Sequence, residues 1–341
     1  MALYNKINGE ELKAKMRESN EERVTLSFYK YHAIPNPEFF RNFLFNAWDE
    51  IGVLGRVYVA KEGINAQISV PIKNFDPFSD HLNSVDFLNS IRLNIAIDDD
   101  GKSFFKLKIK VRGKIVADGL EDDVYDPSDC GIHVDAEGFN KLADDPDTVI
   151  LDMRNHYESE IGHFENAYCP DVDTFRESLP VVEEELADKK DKKLLMYCTG
   201  GIRCEKASAY FKKKGFKDVY QLEGGIINYA KQVTEKGLPN KFKGKNFVFD
   251  ERLGERISEE IISQCHQCDN KCDTHVNCKN VGCNLLFLQC DSCGEKFEDC
   301  CSEECMKINK LDDDAKRELR KEKDSGIRIF SKGRFGKRAK S

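Results

Sequence analysis

Ten of the chain's fourteen cysteines lie between Cys265 and Cys305. A stretch that short cannot bury enough apolar surface to fold unaided, so the thiols themselves must organise it. The N-terminus carries Lys6, Glu10, Glu11, Lys13 and Lys15 and no apolar signal region. No apolar run approaches the length of a membrane span. The expected compartment is therefore the reducing cytoplasm, where clustered cysteines mean metal or catalysis rather than disulfides. The spacing reads Cys265-x2-Cys268, Cys278-x4-Cys283, Cys290-x2-Cys293 and Cys301-x3-Cys305. Paired, closely spaced thiols suit tetrahedral Zn²⁺, and four pairs make two structural ions. One cross-braced arrangement puts Cys265, Cys268, Cys290 and Cys293 on one ion. Cys278, Cys283, Cys301 and Cys305 then hold the other. Cys272, Cys300, His266 and His275 are alternative ligands. An iron–sulfur cluster is the other metal reading, but the ferredoxin spacing is missing. Metal binding would supply the folding energy of the segment.

Of the remaining thiols, Cys130 and Cys169 read as packing residues, and Cys198 stands apart. Leu194-Leu195-Met196-Tyr197 is a short apolar strand that runs straight into Cys198-Thr199-Gly200-Gly201-Ile202-Arg203-Cys204, followed by a helix over 203–214. In a parallel α/β sheet, the carboxyl end of a strand is where ligands bind. Two glycines permit a tight loop whose N–H groups point inward, with a helix N-terminus behind them. That cradle and Arg203 lower the pKa of Cys198 and favour its nucleophilic thiolate. Cysteine phosphatases use Cys-x5-Arg. The Cys198–Arg203 spacing is Cys-x4-Arg, and this smaller ring resembles the rhodanese loop, sized for a sulfur carried as a persulfide. The flanks agree. Asp152-Met153-Arg154, Glu158, Gly162-His163 and Ala167 resemble one rhodanese block, and Phe216 to Gly225 resembles the terminal one. Asp152, Arg154 and His163 read as structural. Cys204 is either a resolving thiol for Cys198 or a small residue at the start of the helix.

The front of the chain reads differently. Strands over 23–31, 54–60, 65–70 and 104–112, with helices over 38–51 and 78–90, give the β-α-β-β-α-β order of a ferredoxin-like domain. In the last strand Lys106, Lys108, Lys110, Arg112 and Lys114 alternate with apolar residues, so at period two the cations share a face. Such a row matches a phosphate backbone; protection of an edge strand would give the same pattern. From Ala315 to Ser341 there are 11 Lys and Arg against 3 Asp and Glu, although the whole chain carries a formal −8. This acidic body with a basic tail fits either a polyanion partner or a solvated end. The expected divisions are a ferredoxin-like domain over 1–124, a rhodanese α/β domain with a parallel sheet over 125–240, a Cys-rich zinc segment over 241–310, and a charged helix and tail over 311–341.

Taken together, Gly55 to Asn65 with its Lys61-Glu62-Gly63-Ile64-Asn65 block, the Cys198 loop and the Cys-rich end resemble the rhodanese-related tRNA uridine hydroxylases over about residues 20–305. The resemblance implies oxygen-dependent conversion of the wobble uridine (position 34) to 5-hydroxyuridine. It also implies Cys198 as the catalytic position, as thiolate or persulfide, and the anticodon loop of tRNA as partner. Thr199, Gly200, Gly201 and Ile202 complete the active-site loop with Arg203. Molecular oxygen is the implied co-substrate, with an electron or sulfur donor still to be named. The residues show no dinucleotide loop for NAD or flavin and no two-His-one-carboxylate pattern. Two other functions share the same loop: a sulfurtransferase moving sulfane sulfur through Cys198, and a non-catalytic zinc-dependent RNA- or protein-binding adaptor. The cationic strand and zinc segment favour the first reading over the second. The intact Cys198 and Arg203 argue against the third.

Overall fold

A computed structural model describes residues 8–120 and 129–321. The boundary expected between residues 124 and 125 and the basic tail past residue 321 lie outside the described residues. Helix α1 (Gly9–Glu18) leads into β1 (Arg23–Tyr31), α2 (Pro37–Ile51), β2 (Leu54–Ala60), β3 (Gly63–Pro71), α3 (Phe75–Asn83), β4 (Asn94–Ile95) and β5 (Leu107–Val111). Period-two alternation sends Leu26 and Phe28 of β1 into a core with Leu44, Trp48, Val57 and Ile68. Thr25, Ser27 and Tyr29 are left on the opposite face. Asn36 caps α2 by accepting from the Phe39 N–H at 3.0 Å, and Gly52 ends it in the left-handed region at φ 81°.

The sheet order is β4-β1-β3-β2-β5, with β5 parallel to β2 and the other pairs antiparallel. Strands β1 to β4 with α2 and α3 make the ferredoxin-like unit. Its fourth strand is the two-residue β4 rather than the expected strand over 104–112. That run, trimmed to 107–111, is a fifth strand on the opposite edge. The apolar alternation there gives a strong strand pattern, whereas β4 owes its place to pairing with β1. The helix expected over 78–90 is also shorter. The Asn83 side chain accepts from the Ser90 N–H at 3.1 Å and closes a loop in place of further helix.

The middle of the chain contributes β6 (Ile132–Val134), α4 (Ala136–Ala143), β7 (Thr148–Asp152), α5 (His156–Ser159), β8 (Gly162–Phe164), α6 (Phe175–Glu185), β9 (Lys193–Tyr197), α7 (Ile202–Lys213), β10 (Asp218–Leu222) and α8 (Gly225–Lys236). Its parallel sheet runs β6-β10-β9-β7. Alternate residues of β9 enter different cores, Leu194 and Met196 on one face, Leu195 and Tyr197 on the other, so helices cover both faces. Asp152 and Arg154 form a fully buried pair, and Arg154 Nη2 also donates to the Gly162 carbonyl at 2.6 Å.

The first part of the 241–310 segment, ahead of the cysteines, carries strands of its own. β11 (Phe242–Asn246) pairs with β8, and β12 (Glu255–Arg256) pairs with β11. Beyond it come β13 (His275–Asn277), β14 (Leu286–Leu288), α9 (Asp291–Phe297), α10 (Glu303–Asn309) and α11 (Asp313–Lys321). Leu286 and Leu288 pack with Tyr157, Ile161 and Phe247, which seats the Cys-rich segment on the central domain. Among the described residues, no helix is long and apolar enough to cross a membrane.

Candidate active site and metal centres

Cys198 follows β9 at the carboxyl end of the parallel sheet, and its side chain is fully buried. The loop closes over it because Gly201, at φ 101°, turns its N–H back to donate to Cys198 Sγ at 3.1 Å. The start of α8 holds the loop from below: the N–H groups of Ile226 and Ile227 donate to the carbonyls of Cys198 and Thr199 at 3.0 and 3.3 Å. Gly225 lies so close that a Cβ there would sit 2.5 Å from both carbonyl oxygens.

Arg203 does not float beside the thiol. Its Nη1 and Nη2 donate to the two oxygens of the fully buried Glu158, at 2.6 and 2.8 Å. Glu158 in turn accepts from the Asn155 N–H at 3.0 Å. The guanidinium is therefore fixed in place and always charged. Burial works against a Cys198 thiolate, but the Cys204 thiol, the Arg203 charge and the N–H groups of Arg203 and Gly201 outweigh it and bring the pKa down to about 6. Burial pushes Cys204 well above the ordinary thiol range. Cys130 and Cys169 rise to about 11 and about 12, again mainly through burial. Of these four thiols, Cys198 is the one held below the ordinary thiol range.

A cavity of about 330 Å³ opens over the loop, and all three parts of the chain line it. The central domain supplies Cys198, Thr199, Gly200, Arg203 and Phe175. The polar face of the N-terminal sheet supplies Thr25, Ser27, Tyr29, Asn65 and Gln67. The segment after β11 supplies Val248, Phe249, Asp250, Arg252 and Glu255. The contributions from outside the central domain were missed in the sequence. The alternating polar face of β1 was a signal for the first; nothing local marked the second.

That sheet face extends to the cations. Arg56 and Tyr58 of β2 pair with Gln67 and Asn65 of β3 on one side, and with Lys108 and Lys110 of β5 on the other. Residues directly paired across a sheet share a face, so Lys108, Lys110 and Arg56 lie on the face that lines the cavity. Burial and then the neighbouring charges of Lys110, Arg56 and Arg112 depress the Lys108 pKa, which marks a crowded positive patch. Arg112 stacks over the Tyr58 ring at 5.8 Å. The five-residue row does not survive whole. Lys106, Arg112 and Lys114 fall outside β5. The strand ends at Val111, and Lys114 turns back to donate to Asp118 and the Leu120 carbonyl at 3.0 and 2.6 Å.

The cysteine cluster resolves into two groups. Cys265, Cys268, Cys290 and Cys293 bring their sulfurs within 4.8 Å of one another, as do Cys278, Cys283, Cys301 and Cys305. The Sγ separations of 3.6 and 3.7 Å for Cys268–Cys290 and Cys283–Cys301 approach the ~3.8 Å edge of a tetrahedron with ~2.3 Å metal–sulfur bonds. Eight thiols so arranged fit two thiophilic ions. Cys272 and Cys300 stand outside both groups. His266 pairs with Glu160 at 2.7 Å instead, and His275 is buried in the β13–β14 hairpin.

Three family models match the chain. Residues 23–115 match the UPF0176 acylphosphatase like domain, 135–232 the Rhodanese-like domain, and 243–306 the Rhodanase C-terminal family. A protein of Photorhabdus laumondii named tRNA uridine(34) hydroxylase is 56% identical over 97% of this chain and 95% of its own length. Proteins of the same name from Enterobacter sp. and Yersinia pestis are each 55% identical over 97% of this chain, covering 95% and 94% of theirs.

Proposed function

The chain belongs to the tRNA uridine(34) hydroxylase family, and from that premise we propose that it hydroxylates uridine 34 of tRNA at C5 in the cavity above Cys198. The observation that carries this reading is the shared sheet face, with the reactive thiol at one end and the Lys108–Lys110–Arg56 patch at the other. A loop nucleotide can be splayed out of its stack, which a base inside a duplex cannot do cheaply. The cations hold the phosphate backbone, and the wobble base enters the cavity. A small-molecule sulfurtransferase needs no such surface.

Chemically, uracil is an electrophile at C6. The Cys198 sulfur, as thiolate or persulfide, adds to C6 and pushes the ring electrons to C5. Arg203 keeps that sulfur ionised beforehand. The electron-rich C5 takes one oxygen atom from O₂. A two-electron donor reduces the other oxygen atom to water. Loss of the C5 proton and expulsion of the sulfur restore the ring and the enzyme. Cys204, buried next to Cys198, holds the proton that helps keep the sulfur anionic. The two four-cysteine groups hold structural Zn²⁺ ions that fix the segment carrying Val248 to Glu255.

The test is nucleoside mass spectrometry of tRNA from cells lacking the gene. Wild type is expected to restore 5-hydroxyuridine and Cys198→Ser to restore none. Reversing Lys108 and Lys110 to Glu is expected to raise KM for tRNA at least tenfold with kcat little changed. Unchanged nucleosides in the deletion strain would overturn the proposal and leave sulfur transfer as the activity of the loop.

A further inference from the structure

One wall of the cavity is acidic, and one of its atoms has no partner. Arg252 Nε and Nη2 donate to the two oxygens of Asp250 at 2.9 and 2.6 Å, and Nη1 donates to Glu255 Oε1 at 2.6 Å. The Ile97 N–H donates to the same Oε1 at 3.2 Å. Glu255 is only 1% exposed, and its second oxygen, Oε2, is buried without a hydrogen-bond partner among the described residues. Both donors available in the fold are directed at Oε1. A buried carboxylate oxygen left unpaired is costly, and Glu255 is one of the residues that line the cavity.

We propose that Glu255 Oε2 accepts a hydrogen bond from the N3–H of the bound uracil, which makes Glu255 the residue that separates uridine from cytidine. Once N1 carries the ribose, N3–H is the only N–H that uracil retains. Cytosine presents a lone pair at the same position, and a carboxylate oxygen repels it. Gln67 and Asn94 line the same cavity; one N–H of each amide donates to Asn65 Oδ1 and to the Gly200 carbonyl at 3.1 and 3.5 Å, which leaves a second N–H for a flanking carbonyl of uracil. This inference rests on the reading of the cavity as the uridine site.

The geometry predicts a reversal. In Glu255→Gln the amide oxygen must stay on Arg252 and Ile97, which leaves an NH₂ facing N3. The experiment measures binding of full-length protein carrying Cys198→Ser to anticodon stem-loops with uridine, cytidine or N3-methyluridine at position 34. With Glu255 present, uridine is expected to bind about tenfold to a hundredfold more tightly than either of the others, the factor a hydrogen bond to a charged group provides. Glu255→Gln is expected to favour cytidine, and Glu255→Ala to show no preference. A purely structural role would weaken all three alike.

Two results overturn the proposal. One is equal binding of uridine and N3-methyluridine by the protein with Glu255 intact, a measurement that needs no Glu255 variant to fold. The other is a uridine preference unchanged in Glu255→Gln and Glu255→Ala. If wild type still forms 5-hydroxyuridine, either result removes only the role of Glu255. If wild type forms none, the uridine-site reading fails with it.

Discussion

Cys198 shows how a buried thiol can be held below the ordinary thiol range. Desolvation alone would raise its pKa, as it does for Cys169 and Cys204. The difference lies in what faces the sulfur: an N–H from Gly201, a guanidinium locked by Glu158, and a neighbouring thiol. The sign follows from a depressed pKa. The thiolate is present above about 6 and is lost as pH falls through that value. Alkylation by iodoacetamide is expected to rise with pH, reach half its maximum near 6 and level off by neutral pH. Glu158→Gln is expected to shift the midpoint upward, because it loosens the Arg203 charge. A midpoint near that of a free thiol, about 8.5, would show that Arg203 and the loop do not act on the sulfur. The Cys-x4-Arg loop was legible in the sequence. The buried Glu158 that fixes the arginine was visible only as a motif letter, since its role depends on α5 meeting α7 in space.

At the scale of elements, the Lys61-Glu62-Gly63-Ile64-Asn65 block is a clamp. Lys206 of α7 is fully buried, and its Nζ donates to both oxygens of Glu62 at 2.9 and 2.8 Å and to Asp118 at 2.7 Å. Glu62 also accepts from the Ile115 N–H at 2.7 Å. At Gly63, φ 148°, any Cβ would come within 2.0 Å of the Lys30 carbonyl oxygen, so only glycine lets the hairpin reach this position. The pair ties the N-terminal sheet to the helix that begins at the Cys198 loop. Removing the lysine takes one cation from the buried Asp118, which keeps Lys114, and the only ammonium from the partly exposed Glu62, which keeps the Ile115 N–H, so Lys206→Met is expected to cost about 3 kcal/mol, the low end for breaking a buried pair. Denaturant unfolding of that variant checks the figure. A loss below about 1 kcal/mol would mean that the two carboxylates rehydrate when the lysine goes.

For the whole molecule, the cavity exists because three separate parts meet. The Cys-rich segment is remote from the thiol but holds the strand next to the cavity: Arg256 Nη2 and Lys245 Nζ pair with Asp273 at 2.6 and 2.9 Å, and Phe247 packs against Leu288. Treatment with a chelator, which would strip any ion from the two four-cysteine groups, is expected to abolish hydroxylation and to speed hydrogen exchange over residues 247–256 as well as 265–305. Exchange confined to the cysteine segment would show that the cavity wall stands without it. The sequence by itself determined the chemistry-bearing short motifs: the strand running into Cys198, the thiol spacings, and the period-two cations. These are encoded over a few residues, where chain connectivity forces proximity. Which four sulfurs come together, that β5 sits at the far edge of its sheet, and that Thr25, Asn65 and Glu255 line the same cavity as Cys198 were decided only by tertiary structure. Each depends on contacts between residues far apart in the chain, and such contacts leave no local pattern to read.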